Sequence, residues 1–357
     1  MKNIKIGNKI IGTGRPVFFI AEAGVNHNGS INYAKKLVDI AKNCGADAVK
    51  FQSFKTEKII LKNAPKSQYH IETTGNNRKQ SWFKLLKSQE MSTEMHYELF
   101  KYCKKKKIIF LSTPYDYESV DLLNSLGVDA FKVASTDNQN IPLLEYISKK
   151  NKPVILSTAM STFEEVQLSY RVLKKKLNNK IIVLQCTGNY PSKSDESNLN
   201  VMKTYKKKLD CIFGYSDHTV GFSNAIAATA IGASVIEKHF TINKKMYGPD
   251  HRMSLSPKEL AQTIDLVRET SISLGSFNKC VLISEKQNRK NLKKSLVSKE
   301  FIKKGKRLKK NFFDIKRPGT GVLPKFLNKI KNYKSEVDIY PNVTIKEKMI
   351  KKLKLRK

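Results

Sequence analysis

The stretch from residue 211 to residue 240, CIFGYSDHTVGFSNAIAATAIGASVIEKHF, decides the fold. Cys211–Phe213 and Ser234–Ile236 are short apolar runs of strand type, and Ser223–Ile231 between them has helical spacing. Strand, helix and strand in close succession predict a βαβ crossover and therefore parallel pairing. Each strand closes on polar groups, Ser216-Asp217-His218-Thr219 in one case and Glu237-Lys238-His239-Phe240 in the other. Two imidazoles at the ends of neighbouring strands can share one metal ion.

Outward from this unit the rhythm repeats. Apolar runs recur at Val17–Ala21, Ala48–Phe51, Ile108–Leu111, Ala130–Val133, Val154–Leu156 and Ile181–Leu184, which with the first two makes eight. Helical patterns lie at Tyr33–Cys44, Ser119–Leu126, Phe163–Leu177 and Pro257–Leu274, with Ser30, Ser161 and Ser256 as caps and Pro257 in the first turn. Eight short strands, apolar on both faces and alternating with helices, predict an α/β fold, a (β/α)8 TIM barrel. A doubly wound sheet would want a glycine-rich turn after the first strand, and Gly12-Thr13-Gly14 precedes it.

The 357 residues suit such a barrel plus an appendage. We expect a barrel domain over 1–275, a polar linker over 276–291 and a small β-rich domain over 292–357, with strands near Ser295–Val297, Ile302, Phe312–Ile315, Val322–Leu323 and Ile339. Residues 53–91 make a long connection for a barrel, a binding wall or a disordered insert, with Tyr69, Trp82, Phe83 and a Gly75-Asn76-Asn77 turn.

The formal charge of +36 invites a nucleic-acid reading, but 58 of the 67 basic residues are Lys and only 9 are Arg. Readers of bases and phosphates lean on the guanidinium fork, so the expectation is no nucleic acid. No apolar run is long enough for a membrane, and residues 1–14 lack the apolar core of a secretion signal. Five cysteines without C-x-x-C spacing read as reduced thiols, and the expected location is cytoplasmic.

Several strand ends carry chemistry. Lys50 and Gln52 share one strand face, and Lys132 repeats the pattern two strands on. A lysine inside a barrel needs an anion, either a ligand or a neighbouring carboxylate. With hydroxyls from Thr113, Ser135, Ser157 and Ser216, the two lysines would make a cradle for a small phosphorylated anion. Glu22 ends the first strand and suits sugar hydroxyls or proton transfer, and Asp250 follows the last strand on a turn that suits a polyol. His218 and His239, as neutral imidazoles with oxygen donors beside them, suit manganese.

The stretches AEAGVNHNGS, DAVKFQSF, LSTPYD, FKVAST, VILSTAMS, LQCTGNYPS, GYSDHT, IEKHFT and GPDHRMSLSP resemble the sialic acid synthase family, N-acetylneuraminate synthase and the related legionaminate and pseudaminate synthases. KSLVSKEFIKKGKRL followed by IKRPGTGVLP is similar to the antifreeze-like SAF domain, of β-clip type, that ends those enzymes. The resemblance implies condensation of phosphoenolpyruvate with an N-acetylated hexose, N-acetylmannosamine first and a 2,4-diacetamido-trideoxyhexose as the alternative. It implies a divalent metal, manganese before magnesium or cobalt, on His218 and His239. It places the phosphoenolpyruvate on Lys50, Thr113, Lys132, Ser135, Ser157 and Ser216, and the acceptor near Glu22, Gln52, Tyr190 and Asp250. Arg317 would reach the acceptor of a neighbouring subunit in a domain-swapped homodimer.

Two positions depart from the neuraminate branch: Asp137 stands where that branch commonly has Glu, and Gly188 where it has Asn, with Asn189 beside it. They bear on the acceptor. Catalytic roles fall to Glu22, Asp137, Lys50 and Lys132. Two other readings stand beside this one, a metal-dependent barrel hydrolase or aldolase and a polyanion-binding protein.

Overall fold

The computed structural model describes residues 2–75 and 81–353, so Asn76 and Asn77 of the expected turn lie outside the described residues. Contacts divide the chain into two compact units, Met1–Gly275 and Ser276–Lys357.

The first unit is the barrel. It opens with a hairpin that the sequence reading did not foresee, β1 (Asn3–Ile6) and β2 (Lys9–Gly12). Eight parallel strands follow, β3 (Phe18–Gly24), β4 (Ala48–Ser53), β5 (Ile109–Pro114), β6 (Phe131–Val133), β7 (Val154–Ser157), β8 (Ile181–Cys186), β9 (Ile212–Asp217) and β10 (Val235–His239). They are bonded in the order β5-β4-β3-β10-β9-β8-β7-β6, and β5 and β6 lie side by side at the seam. All eight coincide with the apolar runs of the sequence.

The helices between them are α1 (Ile31–Asn43), α2 (Thr56–Ile59), α3 (Gln68–Thr74), α4 (Trp82–Gln89), α5 (Thr93–Lys106), α6 (Tyr117–Leu126), α7 (Ile141–Lys149), α8 (Phe163–Leu177), α9 (Val201–Leu209), α10 (Ser223–Ile231) and α11 (Pro257–Ser273). Ser30 and Ser256 cap α1 and α11, but α8 is capped by Thr162 and not Ser161. There Glu165 answers with a bond to the cap's own N–H, a reciprocal pair that Ser161 is one residue too early to make.

Two apolar layers follow from the strand period. One lies between sheet and helices, with Phe19, Val49, Phe110, Phe131, Leu156, Val183, Phe213 and Ile236 as sheet members. The other fills the barrel and unites Ile20, Ala48, Leu111, Ala130, Ile155, Leu184, Ile212 and Val235 with Ile4, Ile6 and Ile11 of the hairpin, which plugs the N-terminal end. Because side chains alternate, the residue two places beyond each of these faces the same interior. Those next residues are Glu22, Lys50, Thr113, Lys132, Ser157, Cys186 and Glu237, and Ser216 follows two further along β9. The interior thus changes from hydrocarbon to functional groups in a single step along each strand.

The expected loop over 53–91 carries α2, α3 and α4. The second unit has its own apolar core, built from Leu296, Ile302, Leu308, Phe312, Phe313, Val322, Ile330, Ile339 and Ile345. Its strands are β11 (Ser295–Ser298) with β12 (Phe313–Lys316) and β13 (Tyr333–Ser335) with β14 (Ile350–Lys352), both antiparallel. Val322–Leu323 is not a strand, although Val322 N–H donates to Ile345; Ile302 and Ile339 form an isolated bridge. The expected linker is not wholly irregular, since α12 (Lys286–Leu292) occupies its end.

Candidate active site

A cavity of about 800 Å³ opens where the barrel strands end. Glu22, Lys50, Gln52, Thr113, Lys132, Ser135, Ser157, Asn189, Tyr190, Ser216, His218, His239 and Asp250 all line it. One expected residue of the barrel does not. The 3-10 turn Ser135–Asp137 presents Ser135 and Thr136 to the cavity, while Asp137 Oδ1 accepts from Asn140 and its buried Oδ2 has no partner among the described residues. Arg317 belongs to the second unit, where its Nε donates to the Leu292 carbonyl.

The floor is a four-charge cluster. Glu22 and Lys50 are register partners on β3 and β4, and their charged ends lie 3.1 Å apart. Glu237 reaches across from β10 to Lys50 at 3.4 Å and Lys132 at 3.3 Å, and accepts from Ser216 at 3.0 Å. Lys50 also donates to Thr113, and Lys132 to Ser157. Burial pushes Glu22 up to about 7, more than Lys50 pulls it down. Glu237 is buried as deeply, yet two ammoniums and the Ser216 hydroxyl hold it at about 2. One carboxylate is therefore firmly ionised while the other is able to carry a proton, a division that suits acid–base work. Lys50 stays above its ordinary range because its two carboxylates outweigh its burial; Lys132 falls below because burial outweighs Glu237.

Above the floor, the ring centroids of His218 and His239 are 5.6 Å apart. Burial holds His218 down to about 4 and His239 well below the usual histidine range, so both are neutral near pH 7. His218 Nδ1–H donates to the Thr187 carbonyl at 2.6 Å, which leaves Nε2 as its lone-pair nitrogen with the Cys186 thiol 3.9 Å away, and among the described residues buried His239 Nδ1 has no partner. The two imidazoles, neutral and side by side on the cavity, suit a divalent cation. Among the described residues no third His, Cys, Asp or Glu completes a shell, so remaining positions would be open to oxygen donors. Gly24 has φ +51, and a Cβ there would lie 3.4 Å from both Glu22 Oε1 and His239 Cε1 and 3.5 Å from Asp250 Oδ2. Glycine keeps that convergence open.

Three further contributors had no assigned role in the sequence, Tyr69 only a place in the connection expected as a binding wall or an insert. Glu237 was visible in the EKHF motif, and its i, i+2 relation to His239 places both on the interior face. Tyr115 lines the cavity from the end of β5, and burial together with the charges of Glu22, Asp137, Asp250 and Glu237 keeps its phenol protonated. Tyr69 stacks on Tyr190 at 5.1 Å, and Tyr190 in turn lies 4.1 Å from His218. No local motif announces a loop aromatic's partner.

Fold and site together define a barrel enzyme built around a small anionic substrate and a polar one. The family model described as the NeuB family matches residues 37–279, and the chain belongs to that family. It is 44% identical to the N,N'-diacetyllegionaminic acid synthase of Campylobacter jejuni, over 90% of this chain and 98% of that one. It is 36% identical to the human N-acetylneuraminate-9-phosphate synthase, over 86% of this chain and 84% of that one. Among solved structures it resembles the N-acetylneuraminic acid synthetase of Leptospira borgpetersenii, crystallised with citrate, at TM-score 0.72 and 33% identity, covering 80% of this chain and 95% of that one. Among the described residues no helix is long and apolar enough to cross a membrane.

Proposed function

We propose that this barrel condenses phosphoenolpyruvate with the aldehyde of an N-acetylated hexose and water, giving a nine-carbon 2-keto acid and inorganic phosphate. The observation that carries the reading is the shared cavity: two buried ammoniums ringed by hydroxyls, beside two neutral imidazoles with lone pairs to offer. Hydrolysis by a metal centre would want a fuller set of protein ligands than these two histidines.

Lys50 and Lys132 hold the phosphate and carboxylate, with Thr113, Ser135, Ser157 and Ser216 as directional donors. Gln52, Asn189, Tyr190 and Asp250 position the sugar so that its aldehyde carbon meets C3 of phosphoenolpyruvate, and such positioning is worth many powers of ten. As the new carbon–carbon bond forms, positive character develops at C2, which Glu237 and Glu22 face. Water adds at C2, Glu22 relays its first proton to the alkoxide of the former aldehyde, and the C2–oxygen bond to phosphate breaks as the second proton leaves with the phosphate. A divalent cation on His218 and His239, manganese in this reading, supplies a Lewis acid for the acceptor oxygen. In a domain-swapped dimer, Arg317 of a second copy would add a cation at the acceptor.

On the acceptor, the 44% identity to the Campylobacter jejuni N,N'-diacetyllegionaminic acid synthase supports a 2,4-diacetamido-trideoxyhexose over N-acetylmannosamine. Phosphate release with each acceptor tests the choice, and whichever gives the higher kcat/KM names the branch.

A further inference from the structure

One wall of the cavity is left without a role by this scheme. Phe54, Ile59, Ile60, Trp82 and Leu86, all from the connection between β4 and α5, line it, and all but Phe54 are only partly buried. Such an apolar surface is poorly matched to a sugar bearing only hydroxyls. Trp82 adds a polar feature, since its buried Nε1–H has no acceptor among the described residues. Buried donors without partners are rare in native structures and call for an explanation.

The direction of the wall is marked by rings. From His218 the series runs to Tyr190 at 4.1 Å, then to Tyr69 at 5.1 Å, to His70 at 4.0 Å and to Trp82 at 5.0 Å. Trp82 thus stands on a continuous ring series that begins at His218, and both line the one cavity.

We propose that Trp82 selects the acceptor by its C4 substituent: the indole N–H donates to an amide carbonyl oxygen, and Ile59, Ile60 and Leu86 cover the adjoining methyl group. Indole is a donor only, so it needs an acceptor. A hydroxyl in the same place would leave its own proton facing hydrocarbon, whereas an acetamido group offers a carbonyl to the indole and a methyl to the wall. The inference rests on the functional reading above.

The test compares kcat/KM for N-acetylmannosamine and for its analogue with a second acetamido group at C4 and a methyl at C6, in the wild type and in Trp82→Phe. Phenylalanine keeps most of the ring and removes the N–H. The wild type should prefer the diacetamido sugar by about 10-fold or more. Trp82→Phe should lose about 10-fold with that sugar, chiefly in KM, and leave N-acetylmannosamine and the KM for phosphoenolpyruvate unchanged. Ile60→Asn should show the same selective loss and serves if Trp82→Phe melts early. Equal losses with both acceptors, or none with either, overturn the assignment. No phosphate from either acceptor in the wild type instead overturns the functional reading beneath it.

Discussion

The Glu237 carboxylate stands 3.3 Å from the Lys132 ammonium at the centre of the barrel, and both side chains are almost wholly withdrawn from solvent. Breaking a buried pair from one side costs up to about 3–5 kcal/mol, less here because Glu237 keeps Lys50 at 3.4 Å, whereas replacing both partners restores most of it. Lys132→Met should therefore destabilise the barrel, and Lys132→Met/Glu237→Gln should recover much of the loss while remaining inactive. Urea unfolding checks this. A double variant as unstable as the single one would mean that the pair is not a unit.

The two histidines give an independent prediction. His218→Ala and His239→Ala should each abolish tight manganese binding, measured by calorimetry, and leave the melting temperature in chelator within a few degrees of wild type. Thr187 enters only through its carbonyl, so its side chain should be replaceable without loss of metal. Undiminished manganese binding by either alanine variant would refute the pair as the metal site.

Much of this was legible in the sequence because β-strands alternate. Lys50, Lys132, His218 and His239 each sit two residues beyond an interior residue, and the period of two is readable without coordinates. Glu237 obeys the same rule but carried no assigned role. In the fold Lys238 turns to the opposite face and binds Asp217 at 2.6 Å. Asp137 was assigned a role from its place in a motif, and a 3-10 turn presents its neighbours to the cavity instead. Tyr69 and Trp82 lie in a connection whose course depends on tertiary packing, so their place at the cavity could not be read from spacing. The hairpin plug was missed because Ile4, Ile6 and Ile11 are scattered among lysines.

Asp250 gives a pH dependence. Burial raises its carboxyl from 3.8 to about 6, so the fold favours the protonated form. The favourable contribution is complete below the unfolded value and is lost as pH rises through about 6, where ionisation costs roughly 2–3 kcal/mol. In metal-free protein, Asp250→Asn should be more stable than wild type at pH 8 and gain little at pH 4, while losing acceptor binding. Thermal melts at the two pH values in chelator decide it; an equal offset at both would show that Asp250 is not destabilised by its charge.

The most direct test of the whole account is the fate of phosphoenolpyruvate labelled with oxygen-18 at its bridging position, incubated with manganese and either N-acetylated acceptor. The expected result is acceptor-dependent phosphate release that chelator suppresses, with the label leaving in the phosphate because the carbon–oxygen bond breaks. Label retained in the nine-carbon product, or phosphate release indifferent to acceptor and chelator, would contradict it.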